Sequence, residues 1–437
     1  MTGSPTSLTT SGKHKAPEAK PSGLFRQLGP GLIAGAANDD PSCIVTYSIA
    51  GAALGYLTLW TSLFLFPVVA ASQLMCSRLA MVTGRGLAGD VRVHCGNRVL
   101  LPLCVGLLIA NLVTLGADLG GMAEVTQLVT GVSALLWTVV YAIGITALLF
   151  FFPYRQIERI LRWLCLTLFT YVIAAVLVSP DWHAVLANTF VPRVEWSGRY
   201  LSVLVAILGA TVSPYFLFWQ AESEVEAEYC LGRKTVLSRK GATGKELAEK
   251  KVDVYAGAFV SKLITYAITL TAAAALFSHG KRTIESARDA AAALQPIAGP
   301  AAFWLFALGV IGTGLLAIPV LAGSSAYAIS EALHWRASLE DQPRFAPRFY
   351  GVLVAAVVVG LLLILFGVPV VQMLFWASVC NGILAPFCLV IVLLLTSRGT
   401  VMGSRVNPPW LRSLGWFSVA VTGTAAIAML ASFAWAR

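Results

Sequence analysis

Long apolar blocks separated by short polar ones run the length of the chain. They fall at roughly 30–55, 57–82, 99–123, 132–152, 160–178, 200–227, 253–277, 301–333, 349–366, 370–396 and 411–435. A helix needs about 20 apolar residues to cross the hydrocarbon core of a bilayer. Inside lipid every backbone N–H and C=O must be paired within the segment, which favours helices over open sheets. The pattern therefore predicts an all-α integral membrane protein of about eleven spans, preceded by a disordered tail over 1–27. That tail is rich in Ser, Thr, Lys and Pro, without the apolar core and cleavage site of a signal peptide.

Composition agrees: 57% of the 437 residues are hydrophobic and 12% charged, with mean hydropathy +0.77, against about 25% charged in a soluble domain. The net charge of +10 would suggest a polyanion partner in a soluble protein, but here it sits between spans. With the N-terminus in the cytoplasm, twenty-four of the 31 Lys and Arg fall in inner segments and six in outer ones, and Lys262 lies within a span. That bias predicts a multi-pass protein of the cell (inner) membrane with its N-terminus cytoplasmic and its C-terminus outside. Its partners are then the bilayer and a transported ion rather than nucleic acid; the sequence leaves the oligomeric state open, a monomer being compatible with it. The eight cysteines show no metal-ligand spacing and are expected as free thiols.

The polar stretch 229–252 divides the spans into two sets of five plus one. An odd first set forces the second to start from the opposite side, as in an inverted-topology repeat. The transporter domain 28–437 then holds repeat one (28–180), repeat two (198–397) and an extra helix (411–435). The leading span of each set is interrupted. The first reads Asn38-Asp39-Asp40-Pro41 inside an apolar run; the sixth reads Gly209-Ala210-Thr211-Val212-Ser213-Pro214. Proline removes a helix hydrogen bond and disfavours helical geometry at the residue before it. Either these are two structural kinks, or the non-helical backbone lines a cavity in which solute binds. Asp40 favours the second, because an acid near the bilayer centre costs at least ~2.5 kcal/mol. With freed carbonyls at the end of a half-helix, it makes a hard-oxygen site for a cation. Asp39 is either a second ligand or a residue of an outer vestibule, since on a helix it points about 100° away from Asp40.

At these residues the sequence resembles the NRAMP family of proton-coupled divalent-metal transporters. The family's first helix carries Asp-Pro-Gly-Asn and then a stretch ending Ala-Gly-Ala; here stand Asp40-Pro41-Ser42-Cys43 and Ala50-Gly51-Ala52. Its sixth helix carries Gly-Ala-Thr-Val-Met-Pro-His; here Gly209 to Pro214 and Tyr215 are in register. The resemblance implies an inverted 5+5, LeuT-like fold with helices 1 and 6 broken, and no cofactor beyond the transported divalent cation. Carried over residue by residue, it implies metal ligation by Asp40, Cys43, Ser213 and the backbone carbonyls of Ala37 and Ala210. Asn38, Asp39, Tyr215 and Asn381 are expected to line the substrate site.

The departures bear on selectivity and coupling. Cys43 replaces a ligand Asn, and Ser213 replaces the Met whose thioether favours soft metals, so oxygen donors point toward magnesium or manganese. Cys43 restores softness only as a thiolate; far from positive charge a buried Cys is a neutral thiol. The resemblance places an ion and proton pathway at Glu124, where the family's Asp-x-x-Glu becomes Gly121-x-x-Glu124, and at Gln220, which replaces a His. Asp118, one turn before Gly121, either substitutes for the lost Asp or is an ordinary paired polar residue. Glu222, with Glu224, Glu226 and Glu228 beyond it, is either part of an acidic vestibule or of a helix end neutralised by Lys and Arg. The sequence thus predicts a non-enzymatic secondary transporter of divalent cations with weak or absent proton coupling. The rivals are a same-fold transporter of a non-metal solute and a non-transporting membrane sensor.

Overall fold

The computed structural model describes residues 29–435, without the side chains at 297–298 and 432–435; the expected tail lies outside them. Every regular element among the described residues is helical. The first span is two half-helices, α1 (Pro30–Ala37) and α2 (Pro41–Leu54), followed by α3 (Trp60–Thr83), the short α4 (Leu87–Cys95), α5 (Asn97–Thr130) and α6 (Ala134–Phe151). The fifth span is α7 (Tyr154–Leu164) and α8 (Phe169–Leu177), and α9 (Trp182–Phe190) leads to the sixth. That span is again split, into α10 (Gly198–Gly209) and α11 (Pro214–Cys230). The short α12 (Val236–Arg239), α13 (Gly244–Ala272), α14 (Ala287–Ala332), α15 (Pro347–Leu365), α16 (Val370–Ser397), the short α17 (Gly399–Met402) and α18 (Pro409–Trp435) complete the chain.

Among the described residues, ten helical stretches are long and apolar enough to cross a membrane. The α1–α2 pair makes the expected eleventh crossing, each half being too short alone. Several boundaries differ from the pattern for identifiable reasons. The seventh span begins at Gly244 rather than near 253 because Thr243 and Glu246 form a reciprocal capping box, satisfying orphan N–H groups at that end. The polar connection is shortened accordingly. The eighth helix starts at Ala287, with a bend at Gly299, whose φ of 82° is open to glycine but strained for other residues.

The broken first span is held mainly by α13. A Cβ on Gly35 would lie 2.4 Å from the Gly257 carbonyl carbon, and one on Gly51 would lie 2.3 Å from the Thr269 carbonyl oxygen. Backbone thus lies on backbone along both halves, the close approach that small residues permit between membrane helices. The break is thereby carried into the centre of the bundle, where Asn38, Asp39 and Asp40 are all buried.

Candidate functional site: two helix breaks joined across the bundle

Both prolines sit at the first position of the half-helix they begin, where a missing N–H costs nothing. Asp40 is the N-cap of α2, its Oδ1 accepting from the Cys43 backbone N–H at 2.9 Å and from the Ser42 hydroxyl. Ser213 is the N-cap of α11, but its hydroxyl does not cap the helix. The Asn38 side chain clasps the two breaks together. Its Nδ2 donates to the Thr211 carbonyl and its Oδ1 accepts from the Ser213 N–H, both at 3.2 Å. A primary amide pairing with one acceptor and one donor of an unwound segment replaces the helix bonds that segment lost.

The Tyr215 hydroxyl lies 2.8 Å from the Ala37 carbonyl oxygen and 3.0 Å from Asp40 Oδ2. The Cys43 thiol donates toward the Asn38 carbonyl at 3.4 Å and lies 3.7 Å from the Ala210 carbonyl oxygen. Asp40, Cys43, Tyr215 and the carbonyls of Ala37 and Ala210 are therefore brought to one spot, with Ser213 at its edge. All of these residues are buried except Ala210, which is half-buried. Among the described residues no three His, Cys, Asp or Glu side chains gather where they could hold an ion. A cation here would rest on one carboxylate with carbonyl and hydroxyl oxygens.

Other expected residues are dispersed. Asn381 on α16 donates to the Thr114 hydroxyl of α5 at 3.2 Å and makes no hydrogen bond to either break. Asp118 is fully buried, with Asp40 the charge acting on it and the Ser42 backbone facing it. Gly121 looks onto the break: a Cβ there would meet Pro41 Cβ at an ordinary 3.7 Å. Glu124 lies farther out on α5, where Arg288 and Asp289 are the charges that reach it.

Gln220 belongs to a polar ring. It accepts from Gln73 Nε2 at 2.7 Å and donates to Glu224 at 2.9 Å, while Gln73 also donates to the Gly31 carbonyl at 2.6 Å. Glu224 accepts from Ser77 at 2.8 Å and pairs with Lys250 at 2.9 Å. Asp253 completes the ring, accepting the N–H groups of Gly29, Gly31 and Leu32 at 2.8, 2.8 and 3.1 Å. This network ties α1, α3, α11 and α13 together at one end of the bundle. The remaining α11 glutamates point elsewhere. Glu226 accepts from Tyr327, Ser338 and the Leu339 N–H, and Glu228 pairs with Arg233. Glu222 meets Glu331, which accepts from the Gly86 and Gly89 N–H groups at 3.1 and 2.7 Å. These two carboxyl groups line a cavity of about 520 Å³ that Arg85, Arg92 and Arg239 also enter.

Asp253, Gln73 and Lys262 did not emerge as site residues from sequence. Lys262 carried a signal, a lone cation inside an apolar span. Asp253 and Gln73 carried none, because their roles depend on backbone groups 222 and 42 residues away.

The family model described as natural resistance-associated macrophage protein-like (Nramp) matches residues 31–432, nearly the whole chain. The chain belongs to the Nramp family. Among curated Nramp relatives, a divalent metal cation transporter (MntH) of Deinococcus radiodurans is 30% identical over 412 residues, covering 89% of this chain and 86% of the relative. The Bacillus subtilis transporter of that name is 26% identical over 408 residues, covering 90% and 89%. The crystal structure of the Eremococcus coleocola manganese transporter superposes with a TM-score of 0.76 at 19% identity, over 97% of this chain and 91% of that one. The nucleobase-cation-symport transporter Mhp1, in a closed conformation, gives 0.55 at 13% identity, over 93% and 92%. The architecture of this Nramp chain is thus that of the LeuT-like transporters.

Proposed function

We propose that the chain is a secondary transporter that carries divalent cations of the manganese or magnesium type across the cell membrane. The observation that carries this reading is the gathering at two joined helix breaks of Asp40 and the Ala37 carbonyl, bridged by the Tyr215 hydroxyl, with the Ala210 carbonyl beside Cys43, in a chain whose curated Nramp relatives are named divalent metal cation transporters. One carboxylate, two carbonyls and nearby hydroxyls form a hard donor set, suited to ions that keep part of their water. The thiol of Cys43 is engaged as a hydrogen-bond donor to a carbonyl, which is the neutral form and a poor metal ligand. Binding frees Asp40 Oδ2 from the Tyr215 hydroxyl, and the carboxylate cancels one of the cation's two charges, so that the loaded break carries one net positive charge on which the membrane voltage acts.

Proton coupling is weak in this reading. Gln220 cannot titrate, Tyr215 donates to the site itself, and Glu124 stands apart beside Arg288. Voltage and the cation gradient then drive uptake, an inside-negative potential being worth ~2.3 kcal/mol per charge per 100 mV. The N-terminus lies in the cytoplasm and the C-terminus outside, as the Lys and Arg distribution supports. Isothermal titration of the purified full-length chain against magnesium, manganese, calcium and cadmium tests the assignment. Heats from manganese or magnesium that vanish in Asp40→Ala are expected; equal heats in wild type and Asp40→Ala overturn it.

A further inference from the structure

Beside the cation site lies a second pair of charges that the transport reading leaves unused. Asp39 is 1% exposed, and among the described residues neither of its carboxylate oxygens has a hydrogen-bond partner. The Ser261 hydroxyl, itself unpaired, lies next to it on α13, and one residue on is Lys262, 5% exposed. Among the described residues the Lys262 ammonium closes no ion pair. It sits over the face of Tyr47, 5.7 Å from the ring centroid. The charges that reach Asp39 are those of Lys262 and, more weakly, Asp40. A buried acid and a buried base thus face each other across a short gap, one peptide bond from the proposed ligand.

Such an arrangement is expensive if it serves packing alone. Each charged group in a membrane interior costs about 2.5–3.5 kcal/mol on the insertion scale, and an apolar pair of the same volume fills the space as well. What it supplies is charge. Asp39 and Asp40 together would present two negative charges to a divalent cation and hold it too tightly to release. A fixed ammonium facing Asp39 cancels one of them.

We propose that Lys262 is a positioning residue of the cation site: held over Tyr47 by α13 and facing Asp39, it offsets the Asp39 charge so that Asp40 alone draws the cation. The ammonium does not touch the ion. Its charge acts first on Asp39 and, more weakly, on Cys43. This inference rests on the cation-transport reading and concerns the strength and turnover of that same site. A unit charge several ångströms away, at the effective dielectric of a protein interior, changes a divalent affinity by at least about tenfold.

The test is manganese titration of the purified full-length chain, with initial uptake rates measured in proteoliposomes. Lys262→Met is expected to bind manganese at least about tenfold more tightly and to transport it with a lower maximal rate. Lys262→Arg stays close to wild type in both. Asp39→Asn, with Lys262 left uncompensated, binds at least about tenfold more weakly, and Asp39→Asn/Lys262→Met returns to wild-type affinity. The last two variants carry the test if Lys262→Met does not fold. Wild-type manganese affinity in Lys262→Met or in Asp39→Asn, with melting temperatures that fall in the singles and recover in the double, shows a purely structural pair and overturns the proposal. If wild type itself gives no heat with manganese, the transport reading fails first. The positioning role, which rests on that reading, then fails with it, whereas a wild-type heat with unshifted affinity in the variants overturns the positioning role alone.

Discussion

Tyr215 has one proton and two acceptors, the Ala37 carbonyl and Asp40 Oδ2, so an incoming cation must displace it from both oxygens it would use. Tyr215→Phe removes that competition and leaves a buried carboxylate one donor short. The cation-free protein should lose about 1–3 kcal/mol of stability, and the rise in melting temperature on adding manganese should exceed that of wild type. Thermal melts with and without manganese check both; a smaller manganese-induced rise would mean that the hydroxyl is a ligand rather than a competitor. Ser213 governs softness at the same scale. Its hydroxyl leaves the helix uncapped and stands beside the break, so Ser213→Met introduces a thioether where oxygen now stands. Cadmium affinity relative to manganese should rise about tenfold or more, read by competition titration. An unchanged ratio would move the ion away from α11.

Among the half-helices, sequence and structure agree where the cause is local and part where it is not. Pro41 and Pro214 mark the breaks because proline acts on its own backbone and on its neighbour. Asp40 is conspicuous because an acid in an apolar run is costly wherever it ends up. Asn38 reads as one more polar lining residue, yet both ends of its amide are committed to the second break, 173 and 175 residues on. Asp253 reads as the polar edge of a span, yet it accepts three N–H groups in the first turn of α1. No periodicity encodes partners so far apart; Asp253 meets α1 through the glycine contacts that lay α1 on α13. Asp253 therefore works as the latch of α1. Asp253→Asn replaces one acceptor by a donor, and amide exchange over 29–37 should speed up about 5- to 150-fold while the rest of the bundle keeps its protection. Unchanged exchange there would show that helix packing alone holds the half-helix.

At the scale of the molecule, the fold places two joined breaks at the centre of the helical bundle and ties one end with the Gln73, Gln220, Glu224, Lys250 and Asp253 ring. Groups able to relay a proton away from Asp40 are sparse along α5, where Gly121 faces Pro41 with space for a side chain. Gly121→Asp should therefore strengthen coupling. In liposomes loaded with a pH dye, manganese-dependent acidification should be weak in wild type and larger in Gly121→Asp. Equal signals would place the limiting step elsewhere.

Manganese uptake into proteoliposomes held at an inside-negative potential, comparing wild type with Asp40→Ala at matched incorporation, tests the central claim most directly. Wild type should accumulate manganese under the applied voltage, and the variant, which should still purify as a single species, should accumulate none above protein-free liposomes. Uptake by Asp40→Ala at the wild-type rate would contradict it.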